Sequence, residues 1–289
     1  MKVAFIGLGA MGFPMAGHLT DTFKDVTVYN RTQTKADNWA KKYDGIVAST
    51  PSEASKDADI VCVCVGNDDD VRSVVYGDEG ILNSLKQNAI LIDHTTTSAN
   101  LARELANECA KHRVHFLDAP VSGGEVGAQN GKLTIMIGGE HNIYEKSQSV
   151  LNCYALKHQL MGATGSGQLT KMVNQICITG LLQGLSEAMN FAHNAKLDTD
   201  KVIDVIGKGA AQSWQMDNRA KTMIADEFNF GFAVDWMIKD LGIVLEEAEN
   251  NKSILPVTKL VESYYRQVSA NGGGRFDTSS LITLLKRKE

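Results

Sequence analysis

The 289-residue chain has no apolar run long enough to span a bilayer. No basic-then-apolar leader precedes its first strand-like segment. The expectation is a cytoplasmic protein without a membrane partner. A basic excess is also missing. The formal net charge is −5 at pH 7, which argues against nucleic acid as the main partner, because such binders usually carry surplus lysine and arginine. Cysteine is sparse and odd in number: Cys62, Cys64, Cys109, Cys153 and Cys177. Their spacing suits neither a disulfide framework nor a zinc site, so no metal is expected. Cys62 and Cys64 fall in a run that reads as a buried strand, where they act as small core residues, and a reducing compartment follows. The closing Leu285-Lys286-Arg287-Lys288-Glu289 matches no retention or peroxisomal address. Repeats and low-complexity segments are absent as well. What is present, 43% hydrophobic and 22% charged residues, is the composition of a soluble globular protein. The length suffices for one large or two ordinary domains with real cores.

The most informative stretch comes first. Lys2 to Ile6 is an apolar run, and it ends in Gly7, Gly9 and Gly12, spaced GxGxxG before helix-compatible residues. This is the layout of a dinucleotide-binding turn. Gly7 permits the tight turn, Gly9 lets a pyrophosphate approach the backbone, and Gly12 allows close helix–strand packing. The phosphates would rest on amides of the turn and the helix start, over Gly7, Leu8, Gly9, Ala10, Met11 and Gly12. The next signal is again an absence. After the second strand, where an acid would hold the ribose 2′-hydroxyl of NAD, stand Asn30, Arg31 and Thr32. A carboxylate would repel a 2′-phosphate, whereas a guanidinium can fork onto it. NADP(H) is therefore expected to be preferred, with NAD(H) possible.

The first half alternates strand-like and helix-like segments. Candidate strands are Lys2–Gly7, Val26–Asn30, Ile46–Ala48, Ile60–Gly66, Ala89–Asp93, His115–Ala119 and Leu133–Gly138. Several are continuous apolar runs, as expected of parallel strands covered on both faces. Thr34–Tyr43 and Asn100–His112 have helical composition. The pattern implies an α/β fold: a Rossmann-type doubly wound parallel sheet. Loops at the carboxyl ends of strands bind ligands in such sheets, which nominates Val65 with Asn67–Asp70, and Thr96 with its neighbours Thr95 and Thr97. Near Gly162–Gly167 the character changes, and the rest reads as almost entirely helical. The expected division is a dinucleotide-binding domain over 1–162 and an all-α domain over 163–289. A long proline-free helix from Gln168 to about Ala195 would join them. Its apolar residues fall on nearly every face, so it is expected to be buried all round. Gly180, Gly184, Ala188 and Ala192 form a small-residue stripe along it, suited to intrachain packing or to a subunit interface.

A second series of residues is more particular. It runs through Asp118-Ala119-Pro120-Val121-Ser122-Gly123-Gly124, then Gly165-Ser166-Gly167, Lys171, Asn174-Gln175, Phe232 and Lys239-Asp240. With the glycine turn, this series resembles the β-hydroxyacid dehydrogenase family in the family's own order, over almost the whole chain. The resemblance implies that Ser122, Gly123 and Gly124 bind the substrate carboxylate, and a hydroxyl beside adjacent amides does make an anion-binding concavity. It also implies that Lys171 is the catalytic lysine, with Asn174 and Gln175 as its amide partners. Phe232 and Asp240 would close the pocket, and Lys239 would lie near the nicotinamide. His94 is read as a loop residue. Trp214 and Trp236 are candidates to limit substrate size, although tryptophan is more often core.

The implied reaction is reversible hydride transfer between the nicotinamide and a small carboxylate bearing a hydroxyl or aldehyde one carbon further out, such as 3-hydroxyisobutyrate and its semialdehyde. Lys171 would act as general acid in reduction and as base in oxidation. An unperturbed lysine pKa of about 10.4 leaves little neutral amine at pH 7, so oxidation is expected to quicken at alkaline pH. Glyoxylate/succinic semialdehyde or tartronate semialdehyde reduction are alternatives within the family. An imine reductase and a non-catalytic dinucleotide module are disfavoured by Lys171, Ser122 and Asn174. A homodimer or homotetramer is expected by analogy with the family.

Overall fold

The computed structural model describes residues 1–285. Lys286, Arg287, Lys288 and Glu289, most of the tail considered above, lie outside the described residues. Two compact units are present, Met1–Lys171 and a second beginning at Met172.

The first unit is built on the strands β1 (Lys2–Ile6), β2 (Asp25–Tyr29), β3 (Ile46–Val47), β4 (Ile60–Val63), β5 (Ile90–Asp93), β6 (His115–Asp118), β7 (Val121–Ser122), β8 (Leu133–Gly138) and β9 (Ala155–Gly162). Between them run helices α1 (Gly12–Thr20), α2 (Gln33–Ala40), α3 (Pro51–Ser55), α4 (Asp68–Val75), α5 (Ala99–Lys111), α6 (Gly124–Gln129) and α7 (His141–Leu151). The sheet order is β3-β2-β1-β4-β5-β6-β8-β7, with β9 beside β8. The pairs from β3 through β6 are all parallel. This is the doubly wound arrangement expected, and the order in which strands are added reverses between β1 and β4, the switch point where such sheets bind ligands.

Alternation along β1 explains the two layers. Val3 and Phe5 pack on one face with Met15, Leu19 and Trp39. Ala4 and Ile6 pack on the other with Val71, Val75, Leu101 and Leu105. Because successive side chains point to opposite faces, a strand covered on both sides must be apolar throughout. Most expected strands are one to three residues shorter. β4 stops at Val63 rather than Gly66, because the Val65 amide leaves the ladder and donates to the Thr95 hydroxyl at 3.1 Å. Two strands were not expected. β7 has only two residues, and β9 has mixed polarity, with most of its residues exposed or half-buried.

α8 (Ser166–Asn194) starts in the first unit and runs through its boundary. Its 29 residues span about 43 Å at 1.5 Å per residue. The second unit continues with α9 (Thr199–Ile206), α10 (Trp214–Ile224), α11 (Val234–Asn251) and α12 (Pro256–Val268), followed by a short π turn and a 3₁₀ helix. No strand occurs there among the described residues, in accord with the helical reading. Its core gathers Leu182, Met237, Leu241 and Tyr265 in one cluster and Leu185, Met189, Met216 and Met223 in another. The expectation that α8 is buried all round is not met. Val173, Leu181 and Phe191 are exposed, as is Cys177; the first three along the chain, Val173, Cys177 and Leu181, follow at i, i+4 spacing, and Phe191, about five turns after Val173, shares their side of the helix. Gly180 and Gly184 lie near this stripe, and a Cβ on either would meet nothing within 4 Å. Intrachain packing therefore does not account for these two glycines, whereas Ala192 is buried. Among the described residues, no helix is long and apolar enough to cross a membrane. The five cysteines form no disulfide.

Trp39 is fully buried and donates its indole N–H to the Phe13 carbonyl at 3.1 Å, tying α2 to the start of α1. Truncation would leave a cavity and remove this second bond to a helix carbonyl. Trp39→Ala is expected to cost about 3–5 kcal/mol, read as a lower urea midpoint at constant slope.

Candidate active site

The glycine turn is closed by backbone bonds. Gly7 has φ of +99°, a conformation in which side chains are strained, and its amide donates to the Tyr29 carbonyl at 2.8 Å. A Cβ on Gly7 would lie 2.2 Å from the Cys64 carbonyl oxygen, and one on Gly12 would lie 1.9 Å from the Gly7 oxygen. Gly9 differs from both: nothing stands within 4 Å of where its Cβ would be. Two glycines are thus required by the fold, while the third leaves an open face of backbone beside the start of α1. That open backbone is the cradle a pyrophosphate needs. Leu8, Gly9 and Ala10 also line a cleft of about 420 Å³ that Phe13, Lys35 and Glu125 border too. Lys35 carries a positive charge into this cleft and was missed from sequence. Its position four residues after Arg31 was the available signal.

The end of β2 holds two different arrangements. Asn30 accepts from the Leu8 amide at 2.8 Å and donates to the Thr32 carbonyl at 3.0 Å, so its carboxamide braces the turn. Arg31 reaches outward, with 82% of its side chain exposed, and pairs with Asp70 at 3.2 Å. Thr32 precedes the first residue of α2 without capping it through its side chain.

The carboxyl ends of β5 and β6 form a polar cluster. The Asp93 carboxylate accepts from the Thr95 amide at 2.9 Å, and burial raises its pKa to about 7. Thr96, half-buried, follows. Beyond β6, Gly123 and Gly124 both take positive φ, +127° and +62°, next to Ser122. Asp118 is completely buried and accepts from the amides of Gly165 and Gln168 at 2.8 and 2.9 Å. Burial raises its pKa, and these amides oppose the shift. Gln168 in turn donates to the Thr95 carbonyl at 2.7 Å and accepts from the Thr97 amide at 3.1 Å. Lys171, one turn further along α8, is buried, with 7% of its surface exposed.

His94 lies in the loop after β5, as expected, but it is buried. It is 1% exposed, with Nδ1 at 2.7 Å from the Ala119 carbonyl and Nε2 at 2.9 Å from the Tyr154 hydroxyl. A carbonyl only accepts, so Nδ1 carries the proton and Nε2 accepts from Tyr154. Burial pushes the His94 pKa down to about 4, which keeps the ring neutral and committed to this internal chain. The Cys62 thiol lies 3.7 Å beyond the tyrosine oxygen.

In the second unit, Gln175 is buried and engaged at both ends of its amide. It accepts from Asn174 at 2.8 Å and donates to Asp240 at 2.7 Å. Asp240 also pairs with Lys239 at 3.1 Å, and Lys239 lies 5.8 Å from the Trp236 ring. The Phe232 amide donates to the buried Asp277 at 3.0 Å, and Asp277 pairs with Arg219 at 3.0 Å. Trp214 and Trp236 are exposed, contrary to the core reading. Trp214 serves as a platform for the Arg219 guanidinium at 5.0 Å. Among the described residues no cluster suits a metal ion.

These features define a dinucleotide-binding α/β unit followed by a helical unit, with a buried lysine on the helix that leads from one to the other. Residues 2–163 match the model of the NAD binding domain of 6-phosphogluconate dehydrogenase. Residues 165–285 match that described as NAD-binding of NADP-dependent 3-hydroxyisobutyrate dehydrogenase. An uncharacterized oxidoreductase of Shewanella frigidimarina is 56% identical over 99% of this chain and 98% of its own. The mitochondrial 3-hydroxyisobutyrate dehydrogenase of Rattus norvegicus is 30% identical over 99% and 88%. The structure of Mycobacterium tuberculosis 3-hydroxyisobutyrate dehydrogenase with L-serine superposes with a TM-score of 0.89 at 28% identity, covering 99% of each chain. The chain belongs to the β-hydroxyacid dehydrogenase family, whose members are oxidoreductases that use a nicotinamide cofactor.

Two expectations follow from this geometry. Gly9→Ala is expected to fold with near-native stability yet weaken nicotinamide dinucleotide binding about tenfold, whereas Gly12→Ala is expected to lose at least about 2 kcal/mol of stability. Isothermal titration and thermal melts separate the two effects. The second concerns acid. The folded-state pKa of His94 is lowered from 6.5 to about 4, so its contribution is complete above pH 6.5 and is lost as pH falls toward 4. Asp93, raised to about 7, works in the opposite sense and masks this in the native protein. In His94→Gln only the histidine contribution disappears. The stability difference between the two proteins is therefore expected to shift by roughly 2 kcal/mol in favour of the variant between pH 7 and pH 5. A difference independent of pH in urea titrations contradicts the assignment.

Proposed function

We propose that this protein is an NADP(H)-preferring oxidoreductase that interconverts a small 3-hydroxy acid, of the 3-hydroxyisobutyrate type, and its semialdehyde, with Lys171 as general acid/base. The observation that carries the reading is the buried Lys171, on a helix whose first turn is fastened to the carboxyl ends of the dinucleotide-binding strands. A lysine withdrawn from solvent close to the strand ends where ligands bind in such sheets is placed to act on a bound molecule rather than to dress a solvated helix face.

The nicotinamide, when bound, supplies or accepts the hydride. The protein does the rest. In reduction, the Lys171 ammonium hydrogen-bonds the carbonyl oxygen, stabilises the alkoxide as it develops, and gives it a proton. The Ser122 hydroxyl and the backbone at Gly123 and Gly124 hold the substrate carboxylate. Asn174, on the same side of α8 one turn after Lys171, is assigned to the substrate. Gln175 is assigned to bracing, because its amide is committed to Asn174 and Asp240. Phe232 and Asp240 enter as substrate-side residues and Lys239 as a cofactor-side one, on the family resemblance. The mycobacterial relative was crystallised with L-serine, a carboxylate with its hydroxyl on the β carbon, which supports this substrate class.

The glycine turn with Leu8, Ala10 and Met11 is assigned to the pyrophosphate. Val65 and Thr96 are assigned to the nicotinamide end, and Arg31 and Thr32 to a 2′-phosphate. The description of the second family model as NADP-dependent supports the phosphate-bearing cofactor. The exposed stripe Val173, Leu181 and Phe191 on α8 supports self-association as a dimer or tetramer, and the proposed compartment is the cytoplasm.

The test is steady-state reduction of glyoxylate, succinic semialdehyde, tartronate semialdehyde and methylmalonate semialdehyde with NADPH and with NADH. NADPH is expected to give the higher kcat/KM, and Arg31→Asp to weaken NADPH more than NADH. Lys171→Ala is expected to lower kcat by about 10²–10⁴-fold while NADPH still binds. NADPH binding without turnover of any of the four overturns the activity, a clear NADH preference overturns the cofactor assignment, and an active Lys171→Ala overturns the role of the lysine.

A further inference from the structure

Asp118 lies at the end of β6 with its side chain in a seat that has no spare room. A Cβ on Gly138 would come within 2.4 Å of the Asp118 carboxylate, and one on Gly167 within 2.8 Å of it. Both neighbours are glycine, and the carboxylate fills the space. Each of its oxygens takes one amide from the start of α8, Gly165 at 2.8 Å and Gln168 at 2.9 Å. A helix start has amides without intrahelical partners, and its positive end favours an anion. The cap here comes not from the residue preceding the helix but from a strand almost fifty residues earlier. It therefore does more than complete the helix: it fixes where the helix begins relative to the sheet.

One contact fixes position and leaves rotation about itself. The Gln168 side chain removes that freedom. It bonds the Thr95 carbonyl at 2.7 Å and the Thr97 amide at 3.1 Å, gripping the β5 loop on both sides of Thr96. Lys171 follows Gln168 by three residues, a neighbouring position on the helix surface.

We propose that Asp118 and Gln168 are positioning residues for Lys171, the first setting the start of α8 on the sheet and the second setting its rotation against the loop that carries Thr96. Neither touches the reacting atoms. Their effect is to hold the lysine at a fixed place relative to the strand ends where a nicotinamide would lie. This rests on the assignment of Lys171 as the acid/base, and it predicts a loss of a particular kind. Displacing a catalytic group by about 1 Å costs on the order of 100-fold in rate without altering what binds.

Asp118→Asn keeps the volume of the side chain but turns one of its two acceptors into a donor facing an amide N–H. Gln168→Met keeps the volume and removes both loop bonds while leaving the cap intact. Each variant is assayed with NADPH and the semialdehyde of highest kcat/KM in the panel above, alongside Lys171→Ala. The expectation is a fall in kcat of about 10- to 100-fold, with KM within about threefold and the NADPH Kd within about twofold of wild type. The deuterium isotope effect on kcat with NADPH labelled at the transferred position should rise, because the chemical step becomes limiting. If Asp118→Asn does not fold, Gln168→Met carries the same expectation. A folded variant with wild-type kcat, or a loss confined to KM or to the NADPH Kd, overturns the proposal. An active Lys171→Ala would instead overturn the role of the lysine, so the two failures are distinguishable.

Discussion

A carboxylate without water around it must find donors, and a helix start must find acceptors. In this protein the two needs are met by each other. Asp118 is completely buried at the end of β6, and the amides of Gly165 and Gln168 at the start of α8 are its donors. Either party alone would be a liability in a protein interior. Together they form a charge-assisted joint, stronger than a neutral hydrogen bond. Much of the local sequence follows from it. Gly138 and Gly167 must be small because any Cβ would enter the seat. Gly165 takes φ of +95° in the turn that brings its amide to the carboxylate. Gln168 arrives in register to grip Thr95 and Thr97.

The joint also explains why part of the fold was readable in the sequence and part was not. Among the strands from β1 to β6, β1, β4 and β5 are buried on both faces over nearly their whole length and appear as apolar runs, and the alternation of strand and helix led directly to the doubly wound sheet. The ends were overrun because apolar character continues past the last ladder bond. The Cys64 amide still bonds the Ile6 carbonyl of β1 at 2.9 Å, and it is at Val65 that the chain turns to the Thr95 hydroxyl instead. β9 has no such signature: with Lys157, His158 and Gln159 in its middle it lies at the edge of the sheet, beside β8 alone, and half-wet strands lose the pattern. α8 misled in the opposite direction. Apolar residues on every face imply burial only if something covers every face, and Val173, Leu181 and Phe191 are exposed among the described residues.

Among the site residues, local signals were legible and long-range ones were not. The glycine turn announces itself because three constraints fall within six residues. Lys171 was singled out by the family series around it; a lysine early in an apolar helix is unusual, but that alone would have read as a solvated helix-face residue. By contrast, Asp118 and Gln168 are ordinary polar residues until the fold brings them together. His94 is comparable: nothing near it in sequence shows that Tyr154, sixty residues later, takes its second nitrogen. The pair Asn174-Gln175 reads as two equivalent amides, and it is the fold that buries Gln175 and binds it to Asp240. Trp214 and Trp236 show the limit of composition, since both are exposed despite their size, one of them as a surface for Arg219.

The cofactor end turns on a comparison of weak and strong terms. Arg31 is paired with Asp70, and such a pair would cancel its charge if it were tightly held. It is not: the guanidinium is 82% exposed, and exposed ion pairs contribute about 0–1 kcal/mol. On the proposed reading, a phosphate carrying nearly two charges would meet the planar fork of Arg31 and outcompete one carboxylate in water. The residue that bears on the choice more firmly is Asn30. In the place where an acid would accept the ribose hydroxyls, its carboxamide is already spent on the Leu8 amide and the Thr32 carbonyl. An aspartate there could accept from Leu8 but could not donate to Thr32, so the loop in its present form selects the amide. The end of β2 thereby carries no carboxylate of its own for a structural reason, and the proposed preference for a 2′-phosphate would rest on how the glycine turn is braced rather than on Arg31 alone.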